Sequence, residues 1–288
     1  MQHGSKKKVL FHSRAQKHPG MEYAMNPLPQ YLPPHAGSNK LAGKQCIITG
    51  GDSGIGRAVA FAFANEGADV AIIYLNEHRD AKQTADEIGK RYSKQCLVIP
   101  ADLSSERACR AAVEKVMKKF TALDVLVNNA GTQSIGEDLT EITSEQLLHT
   151  FSVNIFSMFW VTKAALEYME EGASIINSGS VVAFRGSGGL LDYSASKGAV
   201  VAFTRSLSAN LMNEGIRVNG VAPGPVWTPL VVTGTPQKKI QTFGTDSPMG
   251  RPAQPFEIAP AYVFLASDDA AFLSGQFIHP NGGEIVNG

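Results

Sequence analysis

The stretch Gln45-Cys46-Ile47-Ile48-Thr49-Gly50-Gly51-Asp52-Ser53-Gly54-Ile55-Gly56 passes from an apolar strand into a glycine turn. Arg57 to Asn65 (RAVAFAFAN) continues it as a helix, and Gly67 punctuates the end. Strand, glycine turn and helix in this order are what a dinucleotide-binding loop requires. Glycine permits the tight turn, the approach of backbone to pyrophosphate and close packing of helix on strand. The helix N-terminus then presents free N–H groups and a partial positive charge to phosphates. The spacing is G-x-x-x-G-x-G rather than the usual G-x-G-x-x-G, so an ordinary glycine turn is the competing reading.

Outward from this loop, strands and helices alternate. The pattern predicts strands at 45–49, 69–74, 95–100, 124–127, 173–178, 216–221 and 276–279. It predicts helices at 54–66, 78–92, 104–120, 144–170, 192–213 and 254–266. Such alternation means βαβ units with right-handed crossovers. The expected fold is α/β: a single doubly wound, Rossmann-type domain with a seven-stranded parallel sheet and helices on both faces. Ligands in such sheets bind beyond the carboxyl ends of the strands, near the point where strand order reverses.

Tyr193 and Lys197, in LDYSASKGAV, lie on one helix face at i and i+4. A free phenol titrates near ~10. A fixed cation beside it favours the phenolate and lowers that value. The pair therefore reads as a proton donor and acceptor with a cation to adjust it, although an isolated Tyr-x-x-x-Lys is commonly a solvated helix face.

With these motifs in order, the chain resembles the short-chain dehydrogenase/reductase family from about Leu41 to the C-terminus. TGGDSGIG (Thr49 to Gly56) fits its cofactor loop, with Gly50, Asp52, Ser53, Gly54, Ile55 and Gly56 expected to touch cofactor. Asp102 and Leu103 fit the adenine-holding position after the third strand. In DVLVNNAG, Asn129, Ala130 and Gly131 would pass backbone against the adenine ribose, while Asn128 braces neighbouring strands. The resemblance makes Tyr193 the acid/base and Lys197 its pKa adjuster and ribose ligand. It makes Ser180 the hydroxyl that holds substrate oxygen and Asn154 the holder of a relay water. Ser178 competes with Ser180, and the 13-residue spacing to Tyr193 selects Ser180. In RVNGVAPGPVWT, Pro223 and Gly224 would fix the turn beside the nicotinamide, and Val226 and Thr228 would touch its carboxamide. Within the family, the chain is most similar to bacterial general-stress and glucose/ribitol-dehydrogenase-like oxidoreductases with an N-terminal extension. Members commonly form tetramers, so a homotetramer is expected, and the small and apolar residues of helices 144–170 and 192–213 agree with it.

The expected function is thus an NAD(P)-dependent oxidoreductase acting on a small alcohol or carbonyl substrate. The rivals are a nucleotide-binding regulator without turnover and an epimerase or dehydratase of the extended subfamily. For the cofactor, the end of the second strand is Tyr74, followed by Leu75 and Asn76. It offers no Asp to exclude a 2′-phosphate and no cation in the glycine loop to attract one, and the lean is to NAD. Arg79 reaches such a phosphate only by turning inward. Residues 229–253 read as a mobile lid, and 184–192 as the opposite wall of the substrate site.

Composition limits the alternatives. The chain has 288 residues, 43% hydrophobic and 18% charged, with zero formal net charge. That balance favours neither nucleic acid nor membrane as a partner. No apolar stretch approaches the ~20 residues of a membrane span. The three cysteines have no metal-site spacing and read as reduced thiols of a cytoplasmic protein. Residues 1–40 form a separate extension. It begins with a basic, acid-free tail (Lys6, Lys7, Lys8, Arg14, Lys17) and continues with five prolines between Pro19 and Pro34. The expectation is extended coil laid over the surface of the 41–288 catalytic domain, contributing nothing to cofactor binding.

Overall fold

A computed structural model describes residues 9–136, 138–233 and 235–286; Lys6, Lys7 and Lys8 of the basic tail lie outside them. Its strands are β1 (Gln45–Thr49), β2 (Asp69–Tyr74), β3 (Cys96–Pro100), β4 (Val125–Asn128), β5 (Ser174–Ser178), β6 (Arg217–Val221) and β7 (Phe277–Ile278). All pair in parallel, in the order β3-β2-β1-β4-β5-β6-β7. The order reverses between β1 and β4, which opens the crevice where such sheets take ligands.

The helices are α1 (Gly54–Asn65), α2 (His78–Tyr92), α3 (Glu106–Met117), α4 (Ser144–Phe151) and α5 (Ser157–Ala165). They continue with α6 (Val182–Arg185), α7 (Leu191–Leu211), α8 (Pro229–Val232), α9 (Gln237–Gln241) and α10 (Pro255–Ala266). Alternation along β1 sorts its side chains to two faces. Cys46 and Ile48 join the core of α1, α2 and α10, while Ile47 joins that of α3, α5 and α7. Because helices cover both faces, β1, β2 and β4 carry unbroken apolar runs in their interiors, and α1 is buried around most of its circumference.

Two expectations about elements are corrected. The single helix expected at 144–170 is interrupted by a π-turn over Ser152–Phe156 and ends in a 3₁₀ turn at Leu166–Tyr168. One extra residue per turn leaves apolar spacing almost unchanged, so periodicity does not reveal it. The segment 229–253 is not without regular structure, since α8 and α9 lie within it.

The extension is extended, as expected, but not merely superficial. Phe11, Met25, Trp227, Val231, Val232 and Ile240 form a small separate core. Phe11 stacks on Trp227 with ring centroids 3.7 Å apart and planes 12° apart. Trp227 Nε1 donates to the Pro27 carbonyl at 2.9 Å. The segment expected as a mobile lid is therefore held against the extension by buried apolar contacts.

Candidate active site

The loop after β1 depends on glycine. Gly54 has φ +52°, and a Cβ on Gly56 would lie 2.0 Å from the Gly50 carbonyl oxygen, so only glycine lets α1 begin this close to the strand. Asn129 ties the end of β4 to this loop, donating from Nδ2 to the carbonyls of Thr49 and Gly50 at 3.0 and 3.2 Å. Asn128 instead bonds Asn177 and Thr162, both at 3.0 Å, the bracing role expected for it.

A cleft of about 550 Å³ opens at the carboxyl ends of the strands. Gly50, Asp52, Ser53, Gly54, Ile55, Tyr74, Leu75, Asn76, Asp102, Leu103, Asn129, Ala130 and Gly131 line it, as do Tyr193, Lys197, Pro223 and Thr228. Five expected residues do not. Gly56 lies beneath the loop, and Gly224 packs on Asn281. Val226 is 6% exposed, with its side chain in the α10 core and its backbone bridged to Ala253, so a carboxamide contact would fall to its backbone. Ser180 lies outside this lining, and its hydroxyl acts on the Tyr193 phenol to lower its titration.

Asn154 is fully buried in the π-turn. Its Oδ1 accepts from Thr132 N–H at 2.8 Å, and its Nδ2 donates to the Thr132 carbonyl at 2.9 Å and to Ser196 Oγ at 3.0 Å. Three of the four hydrogen-bonding positions of the side-chain amide are therefore taken by protein, which leaves one Oδ1 lone pair for the relay water expected on it. Asn154 fixes the position of Thr132, which does line the cleft.

Tyr193 stands in the first turn of α7, held there by Asp192. The Asp192 carboxylate accepts from Tyr193 N–H at 2.8 Å, from Thr150 Oγ1 at 2.7 Å and from Gln146 Nε2 at 3.1 Å. Ser178 is occupied elsewhere, with Tyr262 at 2.7 Å, so of the two candidate serines only Ser180 meets the phenol. Lys197 Nζ lies 5.6 Å from the Tyr193 ring centroid and donates to the Ser178 carbonyl at 2.7 Å. Burial pushes the phenol up to about 12, offset in part by the Ser180 hydroxyl, and brings the Lys197 ammonium down to about 8. The sequence expectation was a phenol lowered by Lys197. Among the protein groups alone, desolvation dominates instead, because the ammonium points at a carbonyl rather than at the phenol oxygen.

Sequence reading missed part of the wall. His18, Pro19 and Gly20 come from the extension, while Glu77, His149 and Leu230 add to it from the domain. The extension residues match no motif, and nothing local marks them. Of residues 184–192, expected as the opposite wall, Phe184 packs on Phe277 and His279 and Arg185 pairs with Glu284 at 2.7 Å, while Leu190 packs against Tyr193. Among the described residues, no group of three or more His, Cys, Asp or Glu could hold a metal ion. No helix of the described residues is long and apolar enough to cross a membrane.

A glycine loop at the switch point of a doubly wound sheet, with a Ser-Tyr-Lys set across the crevice, defines a nicotinamide-dependent oxidoreductase. Residues 50–284 match the family model described as enoyl-(acyl carrier protein) reductase. The chain is 52% identical to the uncharacterized oxidoreductase YhxC of Bacillus subtilis, covering 98% of this chain and 99% of that protein. It is 48% identical to the glucose and ribitol dehydrogenase of Daucus carota, covering 96% and 97% respectively. A short-chain dehydrogenase from Burkholderia cenocepacia, solved in complex with NADP, superposes with a TM-score of 0.79 at 30% identity, covering 85% of this chain and 98% of that one. The chain belongs to the short-chain dehydrogenase/reductase family.

Proposed function

We propose that this protein transfers hydride between a nicotinamide dinucleotide and a small alcohol or carbonyl compound, with Tyr193 as the acid/base. The observation that carries this reading is Tyr193 on the wall of a glycine-lined cleft, with Lys197 one turn further along α7 on the same wall. When bound, the nicotinamide supplies or accepts the hydride. In carbonyl reduction, Ser180 holds the substrate oxygen as charge develops, and Tyr193 delivers its proton there. A phenol that titrates high keeps that proton until an alkoxide is present to take it. Lys197 holds the nicotinamide ribose and offers its charge to the phenolate that remains.

The substrate we propose is small and hydroxylated, supported by the polar lining at His18, Thr132 and His149 and by the relative named for glucose and ribitol. Aldehydes and sugar alcohols assayed with NAD and NADP, following nicotinamide absorbance, test it. A chain that binds dinucleotide yet turns over none of them is the regulator without activity, and the enzyme reading fails.

For cofactor choice, the sequence lean to NAD gains nothing from the NADP-bound relative. Among the described residues, the cleft wall around Asp52, Tyr74 and Asn76 includes no Lys or Arg, and Arg79 lies over the Tyr23 ring at 4.1 Å. That wall does hold two buried carboxyls, Asp52 and Glu77. Burial, then Glu77, raises Asp52 to about 7. We propose that NADP(H) is accepted while Asp52 keeps its proton. Asp52 titrates near ~3.9 when unfolded. The raised folded value means that its contribution to stability is full below the unfolded value and is lost as pH rises through about 7. Phosphate repulsion appears in the same window. The Kd for NADP(H) is expected to rise between about pH 6 and about pH 8, more steeply than that for NAD(H). Asp52→Asn should flatten the dependence. Parallel slopes for the two cofactors in the unaltered protein would refute the assignment.

Leu147, Leu148, Phe156 and Phe159 are exposed along α4 and α5. We propose that this apolar face pairs with another copy in a homotetramer. Light scattering is expected to return about four times the 30.7 kDa chain mass, and a mass near that of one chain would reject it. The buried free thiols of Cys46 and Cys109 fit the reducing cytoplasm proposed for it, which fractionation of source cells checks.

A further inference from the structure

Residues 18–20 form part of the cleft wall, although the family match begins only at residue 50. Two residues further on, Glu22 is 1% exposed. A buried carboxylate is costly unless it is paired and hydrogen-bonded, and this one is both. Its Oε2 accepts the Gly54 N–H at 2.6 Å, and its Oε1 pairs with Arg57 Nη1 at 2.6 Å. The Glu22 backbone N–H donates to Asp80 Oδ2 at 3.0 Å. Gly54 opens α1 and stands between Ser53 and Ile55, both on the cleft wall. The glycine loop is thus gripped from outside the family domain at Gly54, one of its two positive-φ residues.

The same segment is fixed to the lid. A Cβ on Gly20 would lie 2.8 Å from Thr233 Cγ2 and 2.9 Å from the Pro229 carbonyl oxygen. Gln16 N–H donates to the Val232 carbonyl at 2.8 Å. Loop and lid, which approach each other where Gly54 faces Thr228 and Pro229, are both held by one short stretch of the extension. The Bacillus subtilis relative, matched over 98% of this chain, includes that stretch.

We infer that the extension is a component of the dinucleotide site: Glu22 is a positioning residue of the phosphate-binding loop, and residues 18–20 close the cleft from outside. This rests on the nicotinamide reading above. A cofactor that needs the loop in this conformation binds more tightly when Glu22 is docked, and by reciprocity its binding docks the extension more firmly. The pyrophosphate is the part of the cofactor that feels the loop; adenosine, held at Asp102 and Leu103, does not.

The test uses the full chain and Glu22→Ala, titrated with NADPH, ADP and adenosine. Removing the carboxylate is expected to weaken NADPH and ADP by about tenfold, within the usual range of coupling between sites, and to leave adenosine unchanged. NADPH and ADP affinities within about twofold of the unaltered chain in a folded variant would overturn the inference. Adenosine weakened to the same degree would also overturn it, since that marks general loosening. An unaltered chain that binds no dinucleotide instead refutes the cofactor reading itself. Hydrogen exchange of the unaltered chain supplies a readout that does not depend on the variant folding. Amides in residues 12–25 are expected to exchange more slowly with saturating NADPH, and identical rates would reject the coupling.

Discussion

Tyr193→Phe is expected to leave dinucleotide bound and to lower turnover by about 10²–10⁴-fold. Only a hydroxyl is removed. The ring keeps its place at the start of α7, because the Asp192 contacts that hold it are to backbone and to other side chains. What disappears is the proton that must reach the developing alkoxide, together with the Ser180 contact. Measuring kcat and cofactor Kd on the same preparation separates the two roles. Unchanged kcat with any accepted substrate would remove Tyr193 from the chemistry, and a lost Kd would make it a binding residue.

Arg57→Met is expected to cost about 3–5 kcal/mol of unfolding free energy, the usual consequence of breaking one side of a buried ion pair. The Arg57 side chain is 3% exposed. It bonds Glu22, donates to Thr84 Oγ1 at 2.8 Å and to the Asp80 carbonyl at 2.6 Å, and lies over the Tyr31 ring at 5.0 Å. Its loss leaves the buried carboxylates of Glu22 and Asp80 without a counter-charge. Urea unfolding followed by tryptophan fluorescence measures the effect. A change below about 1 kcal/mol would mean that the cluster relaxes at little cost. Adding Glu22→Gln should recover part of the loss, because one of the two stranded charges goes with it.

The sheet was legible in the sequence because most strands carry an apolar run beside turn residues, although β6 (Arg217–Val221) mixes Arg, Asn and Gly with valine. Most of the crevice followed from it, since Thr49 to Gly56, Asn129 to Gly131 and Pro223 each stand at a strand end. The failures share one cause: they depend on contacts between residues distant along the chain. Val226 carries a motif position, but its side chain lies in the α10 core and its backbone is bridged to Ala253. Three positions of the Asn154 amide are taken by Thr132 and Ser196, which no local pattern connects to it. The direction of the Lys197 ammonium is set by the Ser178 carbonyl rather than by helical spacing. Arg57 reads as an ordinary helical residue until Glu22, 35 positions earlier, is seen against it.

The stacking of Phe11 on Trp227 also fixes an order of events during synthesis. Residues 11–27 are made well before their partners, since their bonds reach 222 residues ahead from Ala15 to Gln237 and 200 from Trp227 back to Pro27. Closing loops of that length has a large entropic cost that only the finished domain can offset. While the ribosome is still building β5 and β6, neither Trp227 nor α9 exists for them to meet. Residues 11–27 are therefore among the last of this chain to find their places, since their partners at Trp227 and Gln237 emerge some 200 residues later.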